Sequence, residues 1–284
     1  MTLAVRTPAS SANLGPGFDV LGLALALYAD LGIGEPPEGA VALDEHHPAV
    51  EAFERLGGQG PVWLRSSIPM ARGLGFSGTV RVGGAALAVC QRDDGTGAIP
   101  AALDEILSVA VELEGHGDNA AASAVGGLVA FVGPGVVPIR VGPTLAASTV
   151  VTWIPDVTTS TDSSRLALSD QVARSAAVHN IGRALQLAAA FEQDDPSLLP
   201  GATSDRLHQQ ERLARLPGAT DAIEAGVAAG AWCGWLSGSG PTVALLCPAD
   251  AADAVVPALR GPGHCKQLSI DTGGTRLLAT PAAG

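Results

Sequence analysis

The chain has 284 residues, of which 47% are hydrophobic and 15% charged, with 36 glycines and 20 prolines. That composition excludes a disordered chain, a disulfide scaffold and a coiled coil, and the length suits one large domain or two that share an interface. Sixteen Lys and Arg against 28 Asp and Glu leave a formal charge of -12; this field repels phosphate backbones and no basic run offsets it, so no nucleic-acid partner is expected. Lys266 is the only lysine, so a lysine-dependent phosphate loop has no lysine to use. The amino-terminal run lacks a basic start followed by an apolar core. No stretch approaches the roughly 18 apolar residues of a membrane span, and a soluble cytoplasmic protein is expected. Cys90, Cys233, Cys247 and Cys265 are too scattered for a zinc or redox pair and are expected to be reduced, buried small residues.

Along the chain, Leu3 and Val5 start a strand that runs into a loop from Pro8 to Gly17, expected to be exposed, and then into apolar Val20 to Leu27, a strand or short helix. Pro48 opens a helix carrying Val50, Phe53 and Leu56. Val62 to Ile68 reads as a strand entering a glycine-rich turn, with a helix over 77–91 leaving it. Helical spacing recurs over 101–113 and stops at Gly115; Gly126-Gly127 opens a strand from Leu128 to Val132. The second half contains a strand at Val150 to Ile154, a long helix from Ser169 to Phe191, and helices over Asp205–Leu216 and Thr220–Ala231. Trp232–Leu236 and Thr242–Cys247 follow as strands, and the tail after Thr272 is expected to be weakly structured. Such a mixture of helices and strands predicts an α+β or mixed α/β fold.

Three loops of small residues carry the chemistry. Ile68 to Thr79, IPMARGLGFSGT, turns from strand to helix; its glycines allow inward N–H groups and the helix adds its positive end, which favours an anion such as phosphate. Ser77 or Thr79 offers a hydroxyl to a divalent ion. Pro8 to Asp19, PASSANLGPGFD, presents an amide and a carboxylate on a backbone that a ligand can approach closely, and Leu236 to Thr242, LSGSGPT, is equally permissive. One such loop is also explained by an ordinary tight connection; three in one chain are not.

Together these loops resemble the GHMP kinase superfamily, and within it the homoserine kinase family. The likeness extends to Leu113-Glu114-Gly115-His116-Gly117-Asp118-Asn119, Ser160-Thr161 with Arg165, Asn180 with Arg183, and Asp205-Arg206-Leu207-His208-Gln209 with Arg212. It implies a two-lobed α+β fold, with an amino-terminal lobe like domain 2 of ribosomal protein S5 over 1–142 and a ferredoxin-like α/β lobe over 143–284. It also implies ATP-dependent phosphorylation of a homoserine hydroxyl, in threonine biosynthesis, with ATP and Mg2+ as cofactors and a homodimer as the assembly entertained. Pro69, Arg72, Gly73, Leu74, Gly75, Phe76, Ser77 and Gly78 would hold the nucleotide, and Ser77 and Glu114 the metal. Asn13, Asp19, His116 and Asp118 would surround the acceptor's polar groups, and Arg165 and Arg212 would clamp its carboxylate. Asp118, Asn119 and Ser77 would act in the transfer. The residue types suit a zwitterionic acceptor, which needs an anion for its ammonium and a guanidinium for its carboxylate.

The chain departs from the family pattern at Phe76-Ser77-Gly78, where Ser-Ser-Ala is usual, in a short stretch between Tyr28 and Arg65, and at Gly117 and Ala120 in place of Pro and Val. Phe76 removes a hydroxyl but keeps its N–H, so altered nucleotide affinity is expected rather than lost binding. Two alternatives remain open at this point: a GHMP kinase for another small hydroxylated metabolite, and a catalytically silent binding protein of the same fold.

Overall fold

The computed structural model describes residues 3–93, 97–133, 135–158, 168–169 and 171–278. Two antiparallel sheets organise it. The first is built on a long pair, β1 (Ala4–Ala12) and β2 (Leu21–Ile33), extended on one side by β3 (Val41–Ala42) and β4 (Val62–Ser66) and on another by β5 (Leu128–Phe131) and β6 (Val136–Ile139). The second, in the order β10-β7-β9-β8, comprises β7 (Thr149–Pro155), β8 (Cys233–Leu236), β9 (Val243–Cys247) and β10 (Gly263–Ser269).

The β1–β2 register slips between Pro8 and Ala9, where Pro8 faces Tyr28 but Ala9 faces Leu25. Pro has no N–H to give the ladder, and a bulge is where a strand tolerates it. As a result the segment expected to be an exposed loop from Pro8 remains strand to Ala12, with Ser10 and Ser11 at 0% exposure. The loop proper is only the turn from Asn13 to Val20, and it too is largely buried.

Helices α1 (Pro48–Arg55), α2 (Phe76–Arg92), α3 (Ala98–Ala101), α4 (Leu103–Glu114) and α5 (Asp118–Val125) precede β5, and α6 (Pro143–Ala146) precedes β7. α2 and α5 pack on β1 and β2. Their faces are made of Gly and Ala, which permits close approach: a side chain at Gly22 of β2 would meet the backbone of Asp118 at 2.3 Å. The remaining helices are α7 (Arg174–Gln193), α8 (Gln209–Leu213), α9 (Ala219–Ala228) and α10 (Ala252–Ala258).

The second sheet is covered on both faces. Val150 and Ile154 of β7 join the main core with Ala244 and Leu246 of β9, while Val151, Trp153, Val243 and Leu245 join a smaller cluster under α9 and α10. Period-two alternation with both faces buried explains why Val150–Ile154 is apolar on both faces apart from the buried Thr152. β10 is the polar edge, and it carries Lys266.

Three sequence expectations change. The helix expected over Asp205–Leu216 contracts to α8, because the Asp205 carboxylate accepts hydrogen bonds from the backbone N–H groups of Leu207, His208 and Gln209 at 3.2, 2.9 and 2.6 Å and holds a turn in place of helix. The long helix begins at Arg174, not Ser169. The tail is ordered through a two-residue strand, β11 (Arg276–Leu277), which pairs with Val5 and Arg6 of β1, and Thr275 Oγ1 donates to the Ser123 carbonyl at 2.9 Å. Cys90, Cys233 and Cys247 are buried and unpaired as disulfides, and burial pushes the Cys233 thiol up to about 12. They remain protonated and packed.

Candidate active site

All three small-residue loops converge on one cavity of about 710 Å3. A chain of hydroxyls joins them. Trp235 Nε1 donates to Ser11 Oγ at 2.9 Å, Ser11 and Ser237 hydroxyls are 2.7 Å apart, and Ser237 Oγ donates to the Gly73 carbonyl at 2.5 Å. Since Ser11 already accepts from the indole and Ser237 gives its proton to Gly73, the Ser11 hydroxyl donates to Ser237. Ser11, Ser237 and Gly73 belong to the first, third and second loops respectively, so one relay ties all three together. Asn13 reinforces it: its Nδ2 donates to the Gly238 carbonyl at 3.0 Å, and its Oδ1 accepts from the Asp19 N–H at 3.1 Å. Both ends of the amide expected to touch an acceptor therefore also hold the loops in register.

Gly75 caps α2 with φ +69°, and a Cβ there would lie 2.1 Å from Ser10 Oγ. Gly73 has φ +72°, and a Cβ would lie 2.3 Å from the Ser237 carbonyl. Only glycine meets both demands. Immediately beyond Gly75 the first N–H groups of α2 have no intrahelical acceptor and carry the positive end of the helix, an anion site next to the cavity. Strain is concentrated here: Asn13, Leu14, Asp19 and Ala71 are four of the five non-glycine residues with positive φ among the described residues.

Of the residues expected to contact nucleotide, Arg72, Gly73, Leu74, Gly75, Phe76 and Ser77 border the cavity, whereas Pro69 and Gly78 do not. Arg72 also bridges the sheets, donating to the Asp156 carbonyl at 3.0 Å. Asn13, Asp19, His116, Asp118, Asn119 and Arg212 border it as well. Arg165 and the Ser160-Thr161 motif fall outside the described residues.

Arg212 enters the cavity from α8 and is held from behind. Its Nη1 donates to His208 Nδ1 at 3.1 Å and approaches the Gly238 carbonyl at 3.3 Å, and its guanidinium lies 5.3 Å from the centre of the Phe18 ring. His208 Nε2 bonds the Gly15 carbonyl at 2.8 Å, and since a guanidinium only donates, His208 is the neutral Nε2–H tautomer. Burial lowers the His208 pKa in the same direction. Burial opposes ionisation of Asp205, yet the Asn180 amide and the backbone N–H groups of Gln209 and His208 hold its pKa below the ordinary carboxylate value. Asn180 Nδ2 donates to Asp205 at 2.6 Å and to the Pro16 carbonyl at 3.2 Å, joining α7 to the first loop.

On the opposite strand-helix layer, Asp118 Oδ1 accepts from the Asn119 N–H at 2.7 Å and lies 3.6 Å from His116 Nδ1. Asn119 Oδ1 accepts from Ser10 Oγ at 2.9 Å. Ser77 Oγ donates to Glu114 Oε2 at 2.7 Å, and the Arg81 guanidinium bonds both groups. Arg81 lies one helical turn beyond Ser77; that spacing alone signals a shared face, but its pairing with Glu114 is visible only in three dimensions. Arg72, Arg81 and Arg212 face Asp19, Glu114 and Asp118 around the cavity, so this region is formally balanced within a chain of charge -12.

Two sheets, helices packed on both and a strand-to-helix glycine loop clasped by two others define a small-molecule kinase of the GHMP class, and the profile described as GHMP kinases C terminal matches residues 181–265. The chain is 40% identical over 266 residues to a homoserine kinase of Moorella thermoacetica, covering 86% of each, and 36% identical over 302 residues to one of Gloeobacter violaceus, covering 97% of this chain and 98% of that one. The solved homoserine kinase of Cytophaga hutchinsonii superposes with a TM-score of 0.82 at 26% identity, covering 98% of this chain and 97% of that chain. A solved mevalonate kinase, at a TM-score of 0.70 and 12% identity over 94% of this chain and 99% of that chain, shares the fold. The chain belongs to the homoserine kinase family of GHMP kinases.

Proposed function

We propose that this protein transfers the γ-phosphoryl group of ATP to the side-chain hydroxyl of L-homoserine, giving O-phospho-L-homoserine for threonine biosynthesis in the cytoplasm. The observation that carries this reading is that one cavity is bordered both by the glycine loop at the start of α2 and by the buried Arg212 with Asp19, His116 and Asp118. The first set suits a chain of phosphates and the second a small zwitterion. The amides beyond Gly75 and the helix end hold the transferred group, and Arg72 adds charge. Arg212 grips the acceptor carboxylate, and its attachment to His208 and Gly238 means that its geometry is set before the substrate arrives. Asp118, fixed by the Asn119 N–H, faces the acceptor hydroxyl, whose proton passes to solvent as its oxygen bonds the γ-phosphorus and the bond from that phosphorus to the departing ADP breaks. Positioning and charge supply the catalysis, as in phosphoryl transfer generally.

A divalent ion supplies charge neutralisation on the phosphates in such reactions. Ser77 and Glu114, its expected ligands, do not fit it as they stand, because the Arg81 guanidinium already bonds both.

The test is a coupled ADP-release assay with homoserine, serine, mevalonate and galactose. Turnover of homoserine above the others is expected. Turnover of mevalonate without homoserine would move the protein to another acceptor, and turnover of none would overturn the kinase reading.

A further inference from the structure

The Ser77–Glu114 pair is already occupied by a cation that belongs to the chain. Arg81 lies one turn along α2 from Ser77 and borders the cavity with it; its side chain is 14% exposed and that of Glu114 11%. Its Nη1 bonds both Ser77 Oγ and Glu114 Oε2, while its Nε is buried with no hydrogen-bond partner among the described residues. Among the described residues no group of three or more His, Cys, Asp and Glu side chains could hold a metal ion. A divalent ion entering between Ser77 and Glu114 would meet a fixed positive charge at contact distance in a poorly solvated setting, where repulsion is far stronger than in water. A guanidinium cannot yield by losing its proton.

We infer that Arg81 is a resident cation that closes the Ser77–Glu114 site to divalent ions in the nucleotide-free protein and supplies positive charge directly to the phosphates of the donor. The buried Nε is the corollary: a desolvated guanidinium with a donor to spare, beside the glycine loop, is completed by an anionic ligand. Arg81 is thus a positioning residue for Glu114 and a binding residue for the nucleotide. The inference rests on the nucleotide reading of the glycine loop and is independent of which acceptor is phosphorylated.

Titration calorimetry on the full chain tests it, with Mn2+ alone as one probe and ATP in EDTA as the other, for the wild type, Arg81→Met and Arg81→Lys, each checked by thermal melting. The wild type is expected to take up no Mn2+ at millimolar concentration and to bind ATP without a divalent ion. Arg81→Met is expected to gain a Mn2+ site and to lose about tenfold or more of its ATP affinity in EDTA, the scale of one charge-assisted contact. Arg81→Lys should exclude Mn2+ and recover part of the ATP affinity. Stoichiometric Mn2+ uptake by the wild type overturns the inference without reference to any variant, and so does unchanged ATP affinity in Arg81→Met. If ATP binds none of the proteins, with or without Mg2+, the nucleotide reading falls as well, whereas Mn2+ uptake by a wild type that still binds ATP sinks this inference alone.

Discussion

Removing one oxygen atom, in Ser237→Ala, tests whether the three loops act as a unit. Ser237 is 0% exposed and is the central member of the relay from Trp235 through Ser11 to the Gly73 carbonyl. Alanine deletes two hydrogen bonds, each worth about 0.5–1.5 kcal/mol net, and leaves the Gly73 carbonyl and the Ser11 hydroxyl short of a partner in a dry interior, where such a group costs about 1–3 kcal/mol. Allowing for local relaxation, a loss of about 2–4 kcal/mol is expected. At roughly 2–4 °C per kcal/mol for a chain of this size, melting should fall by about 5–15 °C. The Gly73 loop also loses the tie that holds it against the third loop, so the ATP Michaelis constant should rise while that for homoserine changes less. Differential scanning calorimetry with steady-state kinetics measures both. A double-mutant cycle with Ser11→Ala should be non-additive by about 0.5–2 kcal/mol, because both changes break the same bond. A melting shift below about 3 °C with an unaltered ATP Michaelis constant would refute the clasp.

Gly75→Ala puts a Cβ 2.1 Å from Ser10 Oγ at φ +69°; the left-handed backbone alone costs about 1–2 kcal/mol, and Ser10 must release Asn119, so ATP binding measured by calorimetry should weaken by more than about tenfold. Arg212→Ala should raise the homoserine Michaelis constant by about tenfold or more with little change for ATP, and Arg212→Lys should not rescue it because a point charge lacks the planar fork; an unchanged homoserine value refutes the clamp. Stability should fall on acidification in two stages. Burial depresses the His208 pKa, so its contribution is complete above the unfolded value of about 6.5 and is lost as pH falls from there through the folded value. Asp30 follows at lower pH: burial works against its ionisation, but Arg6 and Arg65 hold its pKa below the ordinary value, so its stabilisation is complete above the unfolded carboxylate value and is lost as pH falls from there through the lower folded value. Melting curves from about pH 8 down to about pH 2 check both, and His208→Gln should flatten the upper stage alone.

Local backbone chemistry was legible from the chain itself. Glycine at 73 and 75, the Gly115 stop and the largely apolar, β-branched run at Val150–Ile154 each declare a turn or a strand because their effect is exerted within a few residues. The loop motifs likewise announced most of the cavity wall, since motif residues carry their roles with their spacing. Several features depended on partners distant in sequence. Pro8–Ala12 became a buried strand only through pairing with β2, and a two-residue β11 that pairs with β1 has no periodicity to read. The charge of -12 is a sum over the whole chain, and neither its distribution nor the use of the fifteen arginines that accompany Lys266 follows from that sum. Tertiary structure balances the cavity with Arg72, Arg81 and Arg212, and brings Arg81 onto a glutamate 33 residues away. Composition determines how much charge a chain carries, whereas packing determines where a desolvated charge must find its partner.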